Sequence, residues 1–235
     1  MIKAIIFDLD GTLLNTLKDL QKSVNFALNS LQFPNISLEQ TRCFIGNGTK
    51  MLIKRSVPKD TPEEIEKIAY ETFSKHYDVH CNEDTFPYEG ISDVLVKLKQ
   101  DGYKLGVISN KIDKNAKYLV EYHFPKIFDA IQGTYNDLPK KPHPIITNKL
   151  LDSLGIKGEE AIYIGDTEVD EECANLGNMK FILVGYGYRT LNELKERCPK
   201  LIPIMKTSDI YEAIKKEDRW LDLLLHTIDF INNEI

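Results

Sequence analysis

The chain has 235 residues, 42% of them hydrophobic, enough to bury one large core or a core with a smaller second domain. Its formal charge of −6 argues against general nucleic-acid binding, although a local basic pocket fits within that balance. It holds no run of about 18 apolar residues, which excludes a membrane-spanning helix.

No signal peptide is read at Met1, and Cys43, Cys81, Cys173 and Cys198 form no CxxC pair. The expectation is a reduced, cytoplasmic protein whose cysteines are packing or surface residues.

The first element lies in "AIIFDLDGTLL", residues 4–14. Lys3–Phe7 reads as a buried strand, followed at once by Asp8, Asp10, Gly11 and Thr12. Asp-Gly is an ordinary turn signal. A calcium loop is rejected, because its twelfth position is Asp19 and the residues between are apolar and basic. Residues 15–85 then read as helices only. Thr16-Leu17-Lys18-Asp19 resembles a capping box, opening a helix with Leu17, Leu20, Val24, Ala27, Leu28 and Leu31 on one face. Thr61-Pro62-Glu63-Glu64 opens another, with Pro62 at the first helical position and a face of Ile65, Ile68, Ala69, Phe73 and Tyr77.

Beyond residue 86 strands and helices alternate. The strands are Lys104–Ser109, Ala130–Gly133, Ala161–Ile164 and Lys180–Val184. The helices are one carrying Ile91, Val94, Leu95 and Leu98, one over 113–123, and one over 144–154 stopped by Gly155. This alternation predicts an α/β fold with a parallel sheet. The helical block interrupts it, and so reads as an inserted domain with hinges near Leu14-Asn15 and residues 86–90. The expected division is a core of 1–14 and 86–206, an insert of 15–85, and a helical extension of 207–235. In that extension Trp220, Leu223, Leu224, Ile228 and Ile231 share one face, suited to core packing or to a dimer contact.

In an open α/β sheet, ligands bind outside the carboxyl ends of the strands. Asp8, Ser109 and Asp166 all stand at such ends. Two carboxylates there suit covalent phosphoryl transfer, in which an aspartate attacks phosphorus. An anion attacking an anionic phosphate needs a fixed cation and a metal ion, and the leaving oxygen needs an acid. Asp8 and Asp10 supply the carboxylates, Ser109 and Asn110 a polar cradle, and Lys141 in "KKPHP" the cation. Asp166 and Asp170 in "GDTEVD" supply oxygen ligands of the kind Mg²⁺ prefers.

These four motifs, in this order, resemble those of the haloacid dehalogenase superfamily, in its phosphatase branch with a helical cap. The resemblance covers the chain up to about Leu201. It implies a Rossmann-like parallel-sheet core with an inserted α-helical cap. It also implies roles. Asp8 would be the nucleophile and a Mg²⁺ ligand, and Asp10 the general acid and base with its carbonyl on the metal. Thr12 would help position Asp10 beside the phosphate. Ser109 and the Asn110 amide would hold the phosphate, and Lys141, with Lys140 as adjacent rival, would neutralise it. Asp166 and Asp170 would complete the metal site, the latter directly or through water.

The acid at position 10 favours phosphoryl transfer over dehalogenation. "RCFIGNGTKMLIKR" resembles the specificity loop of phosphoglycolate phosphatases, placing Gly46, Asn47, Gly48 and also Lys111 near substrate. Arg42, Lys50 and Arg55 are candidate partners of a substrate carboxylate or plain surface charges. "GYGYRT" (185–190) resembles a glycine-aromatic segment of the same enzymes. The expected activity is Mg²⁺-dependent hydrolysis of a small phosphorylated metabolite, 2-phosphoglycolate first, by a monomer or homodimer. The alternatives are a phosphomutase, for which the cap start lacks the usual histidine, a broad sugar-phosphate, nucleotide or pyrophosphate hydrolase, and a non-catalytic metal-binding module.

Overall fold

The computed structural model describes residues 1–135 and 139–218. The apolar face expected at Trp220–Ile231 lies outside them.

Five parallel strands form the central sheet: β1 (Ala4–Phe7), β4 (Lys104–Ile112), β5 (Ala130–Thr134), β6 (Ala161–Gly165) and β7 (Lys180–Leu183). Their order is β5-β4-β1-β6-β7, so β1 lies at the centre. Side chains alternate across a strand. Ala4 and Ile6 pack on one face with Ile146, Leu150 and Leu154 of α7 (Pro144–Leu154) and Cys173 and Ala174 of α8 (Glu168–Leu176). Ile5 and Phe7 pack on the other with α5 (Ile91–Gln100) and α6 (Asp113–His123). Both faces are therefore covered, as a parallel sheet requires. A last helix, described over 208–218, adds Ile210 and Ile214 to this second face. Its Asp218 accepts hydrogen bonds from the Ile2 amide (2.9 Å) and the Tyr103 hydroxyl (2.9 Å). After α8 and β7, α9 (Leu191–Arg197) packs Leu194 against Leu183 of β7, an edge strand of the sheet.

Four of the strands end within a residue of their expected limits, the ordinary uncertainty of such boundaries. β4 differs, running on to Ile112 with its register to β5 broken between Ile108 and Ile112. The irregularity falls on Ser109-Asn110-Lys111, and breaks of this kind re-aim side chains.

The insert consists of α1 (Leu17–Ser30), α2 (Leu38–Phe44), α3 (Thr49–Ser56) and α4 (Glu63–His80). Both of its chain crossings pair with each other: β2 (Leu14–Asn15) lies antiparallel to β3 (Phe86–Pro87). Leu20, Val24, Ala27 and Leu28 of α1 and Ala69, Phe73 and Tyr77 of α4 form its core, as their spacing predicts. Ile68 does not join it and is 46% exposed. α4 starts at Glu63, so Pro62 precedes the helix rather than opening it.

The capping box expected at the start of α1 is absent. The Thr16 hydroxyl donates instead to Asp10 (2.5 Å). Asp19, fully buried, accepts from the amides of Glu83 (3.0 Å) and Asp84 (2.9 Å) and from the Thr85 hydroxyl (2.9 Å). Longer-range partners outcompete the local one, because Asp19 would otherwise be a buried charge without donors. Asp19 thus ties the first helix of the insert to the segment that leaves it. Asp19→Ala is expected to lower stability by about 2 kcal/mol in urea unfolding, since hydrogen bonds to an ionised acceptor are the stronger class. A change within experimental error would remove Asp19 from this role.

Candidate active site

β1 and β6 lie side by side and both deliver acids at their carboxyl ends. The Asp8 amide bonds the Ile164 carbonyl (2.9 Å), holding the two strand ends level. Asp8, Asp166 and Asp170 each bring a carboxylate oxygen within 4.8 Å of the others, and all three are buried. Gly11 permits this convergence. Its φ of +93° is strained for any other residue, and a Cβ there would stand 2.4 Å from Asp166 Oδ2.

Among the described residues one lysine pairs with the cluster. Lys141 Nζ donates to Asp8 Oδ1 (2.6 Å) and Asp170 Oδ1 (2.8 Å), and also bonds the Tyr163 hydroxyl (3.1 Å) and the Ile108 carbonyl (3.2 Å). Asn110 holds its backbone: the Lys141 amide donates to Asn110 Oδ1 (2.8 Å). Asn110 Nδ2 donates in turn to the Gly46 carbonyl (3.0 Å) in the insert. Lys140 points elsewhere, its ammonium packed against Gly48. Geometry therefore separates the two lysines that sequence left as rivals.

Asp170 stands at the third position of α8. Its Oδ2 accepts from the amide (3.1 Å) and hydroxyl (2.6 Å) of Thr167, so the acid also caps its own helix. Asp166 accepts from the Tyr188 amide (2.8 Å). Thr12 is fully buried with its hydroxyl 3.5 Å from Asp166 Oδ1. The hydroxyl that reaches Asp10 belongs to Thr16, not to Thr12 as expected. The reason is the turn at Gly11, which directs residue 12 back toward β6.

Asp10 faces a cavity between sheet and insert, lined by Asp8, Ser109, Lys111, Arg189, Gly46 and Thr49 among others. Ser109 is buried, and its Oγ accepts from the Lys111 amide (3.1 Å). Lys111 Nζ lies 3.1 Å from Asp10 Oδ1 and donates to the Tyr77 hydroxyl of α4 (2.7 Å). Gly46 and Gly48 line the same cavity. Asn47 instead accepts from Arg55 (2.9 Å). Arg42 is bound by Glu39, Glu193 and the Tyr188 carbonyl, and Lys50 lies over the Tyr70 ring. None of these three cations lines the cavity.

Sequence reading missed four contributors. Thr16 and Tyr188 form a relay with Asp10: the Tyr188 hydroxyl accepts from the Thr16 amide (2.7 Å) and lies 3.1 Å from its hydroxyl. Tyr163 backs Lys141 and Asp170 from within β6. Arg189, 7% exposed, enters the cavity from the "GYGYRT" segment. Nothing in the sequence of that segment singles out which of its side chains turn inward.

Burial pushes the Asp8 carboxyl well above the ordinary range, and Lys141 is outweighed by burial together with the charges of Asp170 and Asp166. Asp166 is pushed up to about 7, by burial first and then by Asp170. Burial alone would lower Lys141, but Asp170 and Asp8 raise it instead, so it stays charged. Three buried carboxylates around one ammonium leave negative charge uncompensated. An oxygen-only donor set of this kind fits a hard divalent cation.

Without such a cation, the folded state binds a proton at Asp166 that the unfolded chain, with an ordinary value of 3.8, releases. Stability then falls as pH rises from about 4 toward 7. The metal-free protein is expected to melt several degrees lower at pH 7.5 than at pH 5, with a divalent cation restoring the difference at pH 7.5. Differential scanning fluorimetry with and without chelator checks this. A melting temperature that rises with pH in chelator would contradict it.

The model of the haloacid dehalogenase-like hydrolase family matches residues 5–184. A phosphoglycolate phosphatase from Aliivibrio fischeri is 31% identical over 86% of this chain and 92% of its own. Another from Aquifex aeolicus is 33% identical over 81% and 88%. Among solved structures, a predicted phosphoglycolate phosphatase from Haemophilus somnus superposes with a TM-score of 0.82 at 28% identity, covering 91% of this chain and 98% of that one. A β-phosphoglucomutase from Clostridium difficile, 21% identical with a TM-score of 0.75, shares the fold. With its carboxylates, lysine and helical insert arranged as described, the chain belongs to the haloacid dehalogenase-like hydrolases.

Proposed function

We propose that the chain is a Mg²⁺-dependent phosphatase that hydrolyses a small phosphomonoester through an aspartyl phosphate on Asp8, with 2-phosphoglycolate as its substrate. The observation that carries this reading is the Asp8–Lys141–Asp170 contact at the floor of a cavity into which Asp10 also faces. A nucleophile beside a fixed cation and a second acid is what stepwise phosphoryl transfer needs.

In the first step an Asp8 oxygen attacks phosphorus and the ester P–O bond breaks. The departing oxygen takes a proton from Asp10. In the second, Asp10 as carboxylate takes a proton from water, whose oxygen attacks the same phosphorus. The bond to Asp8 breaks, leaving Asp8 as carboxylate and releasing inorganic phosphate. Lys141 offsets the charge of nucleophile and phosphate, while Ser109 and the Asn110 amide hold the phosphate oxygens. Thr16 holds Asp10 in the cavity, and Thr12 supports Asp166. Asp8, Asp166, the Asp10 carbonyl and, directly or through water, Asp170 would hold Mg²⁺, which supplies charge neutralisation for the anionic reactants.

A small phosphorylated acid as substrate agrees with what the curated relatives are named for. We take residues 1–14 and 86–206 as the core, 15–85 as a cap, and 207 onward as an extension. The paired crossings of β2 and β3 would act as the hinge, the cap opening for substrate and closing against bulk water. No helix among the described residues is long and apolar enough to cross a membrane. The cysteines are all free thiols, which suits a reducing, cytoplasmic setting.

Phosphate release from 2-phosphoglycolate, pyrophosphate, hexose phosphates and nucleoside monophosphates, with Mg²⁺ or chelator, tests this. We expect Mg²⁺-dependent release with 2-phosphoglycolate strongly preferred. Asp8→Asn should lose about 1,000-fold or more in kcat with an unchanged circular dichroism spectrum. Near-wild-type turnover by Asp8→Asn would refute the nucleophile, and equal rates across the panel would refute the substrate.

A further inference from the structure

Among the described residues, three basic side chains line the cavity: Lys141, Lys111 and Arg189. Two are committed. Lys141 is shared between Asp8 and Asp170, and Lys111 between Asp10 and Tyr77. Arg189 is different. Its Nε and Nη2 donate to Glu168 Oε2 (3.2 Å) and Oε1 (3.1 Å), which occupies one edge of the guanidinium. The hydrogen bonds of Arg189 among the described residues use Nε and Nη2 and leave Nη1 without an acceptor. The opposite edge, one N–H from Nη1 and the second from Nη2, forms a planar fork of the kind that matches a carboxylate.

Charge points the same way. Glu168 is shared: Arg197 also donates to its Oε1 (2.6 Å). One glutamate thus serves two arginines, and Arg189 also lies within electrostatic reach of Asp166. Asp8 and Asp10 make the rest of that cavity repulsive to any further anion, so only an uncommitted cation would admit one. Gly46 of the insert lies beside the guanidinium: a Cβ there would stand 3.5 Å from Nη2, in ordinary van der Waals contact and without a clash.

We propose that Arg189 selects substrates bearing a carboxylate beside the phosphate ester, by pairing its free guanidinium edge with that carboxylate. The proposal rests on the phosphatase reading above and assigns a specificity-determining residue to it. The pairing would be bidentate and buried, the arrangement in which an Arg–carboxylate contact discriminates most. Lys140 is the rival. It is half-buried against Gly48 and has no acid partner among the described residues.

The test compares kcat/KM for 2-phosphoglycolate with that for ethyl phosphate, in which a methyl group replaces the carboxylate. Wild type should prefer 2-phosphoglycolate. Arg189→Met should reduce that preference about tenfold or more, chiefly through KM. Arg189→Lys, which keeps a charge on Glu168 but lacks the fork, should reduce it by less, and serves if Arg189→Met folds poorly. Lys140→Gln should leave the ratio near that of wild type. An unchanged ratio in both Arg189 variants, even with both rates lowered, would show a structural role and overturn the proposal. So would a ratio that collapses in Lys140→Gln instead. No phosphate release from either substrate by wild type would instead overturn the phosphatase reading, and the proposal with it.

Discussion

The structure is organised around a surplus of buried negative charge. Asp8, Asp166 and Asp170 crowd together where β1 and β6 end, and among the described residues Lys141 is the one cation that pairs directly with any of them. Such a cluster is costly in a low-dielectric interior. Donors around it offset part of that cost: Thr167 to Asp170, the Tyr188 amide to Asp166, and Tyr163 to Asp170 behind the lysine. Donors alone do not neutralise it. The raised Asp8 and Asp166 carboxyls express the remaining demand, which a proton or a metal ion can meet.

The insert bears on this core through polar contacts that lead to Asp10, Lys111, Lys141 and Asp166. Thr16, at the mouth of α1, holds Asp10, and Tyr77 of α4 holds the lysine beside it. Gly46 is bound by Asn110, which also fixes the Lys141 backbone. Arg42 bonds the carbonyl of Tyr188, whose amide holds Asp166. The position of the helices over the sheet is thus coupled to Asp10, Lys111, Lys141 and Asp166 alike. A change in that position would be felt at each of them.

Much of this was legible in the sequence. Asp8, Ser109 and Asp166 could be placed together because strand ends of a parallel sheet converge, and each follows an apolar run. The inserted helices were legible from a break in alternation. What was hidden depends on tertiary distance. Thr16 and Tyr188 lie 172 positions apart, and no local pattern links them. Thr16 and Asp19 looked like partners in a cap because they are three residues apart, yet each found a better partner elsewhere. Ile68 fits the helical face by spacing but faces solvent, since a period marks a stripe and not its width. The extension of β4 past Ser109 was equally invisible, because its irregular pairing belongs to β5 as much as to itself.

Leu14 pairs with Pro87 and Asn15 with Phe86, so the polypeptide leaves the sheet and returns to it at one point. A segment whose two ends meet imposes no span on its host. It can be lengthened, exchanged or recombined as a cassette without disturbing the register of β1 or β4. Variation can then accumulate in the outer helices and loops of the insert, while Thr16, Gly46 and Tyr77, which touch Asp10, Asn110 and Lys111, stay bound by the geometry of the floor.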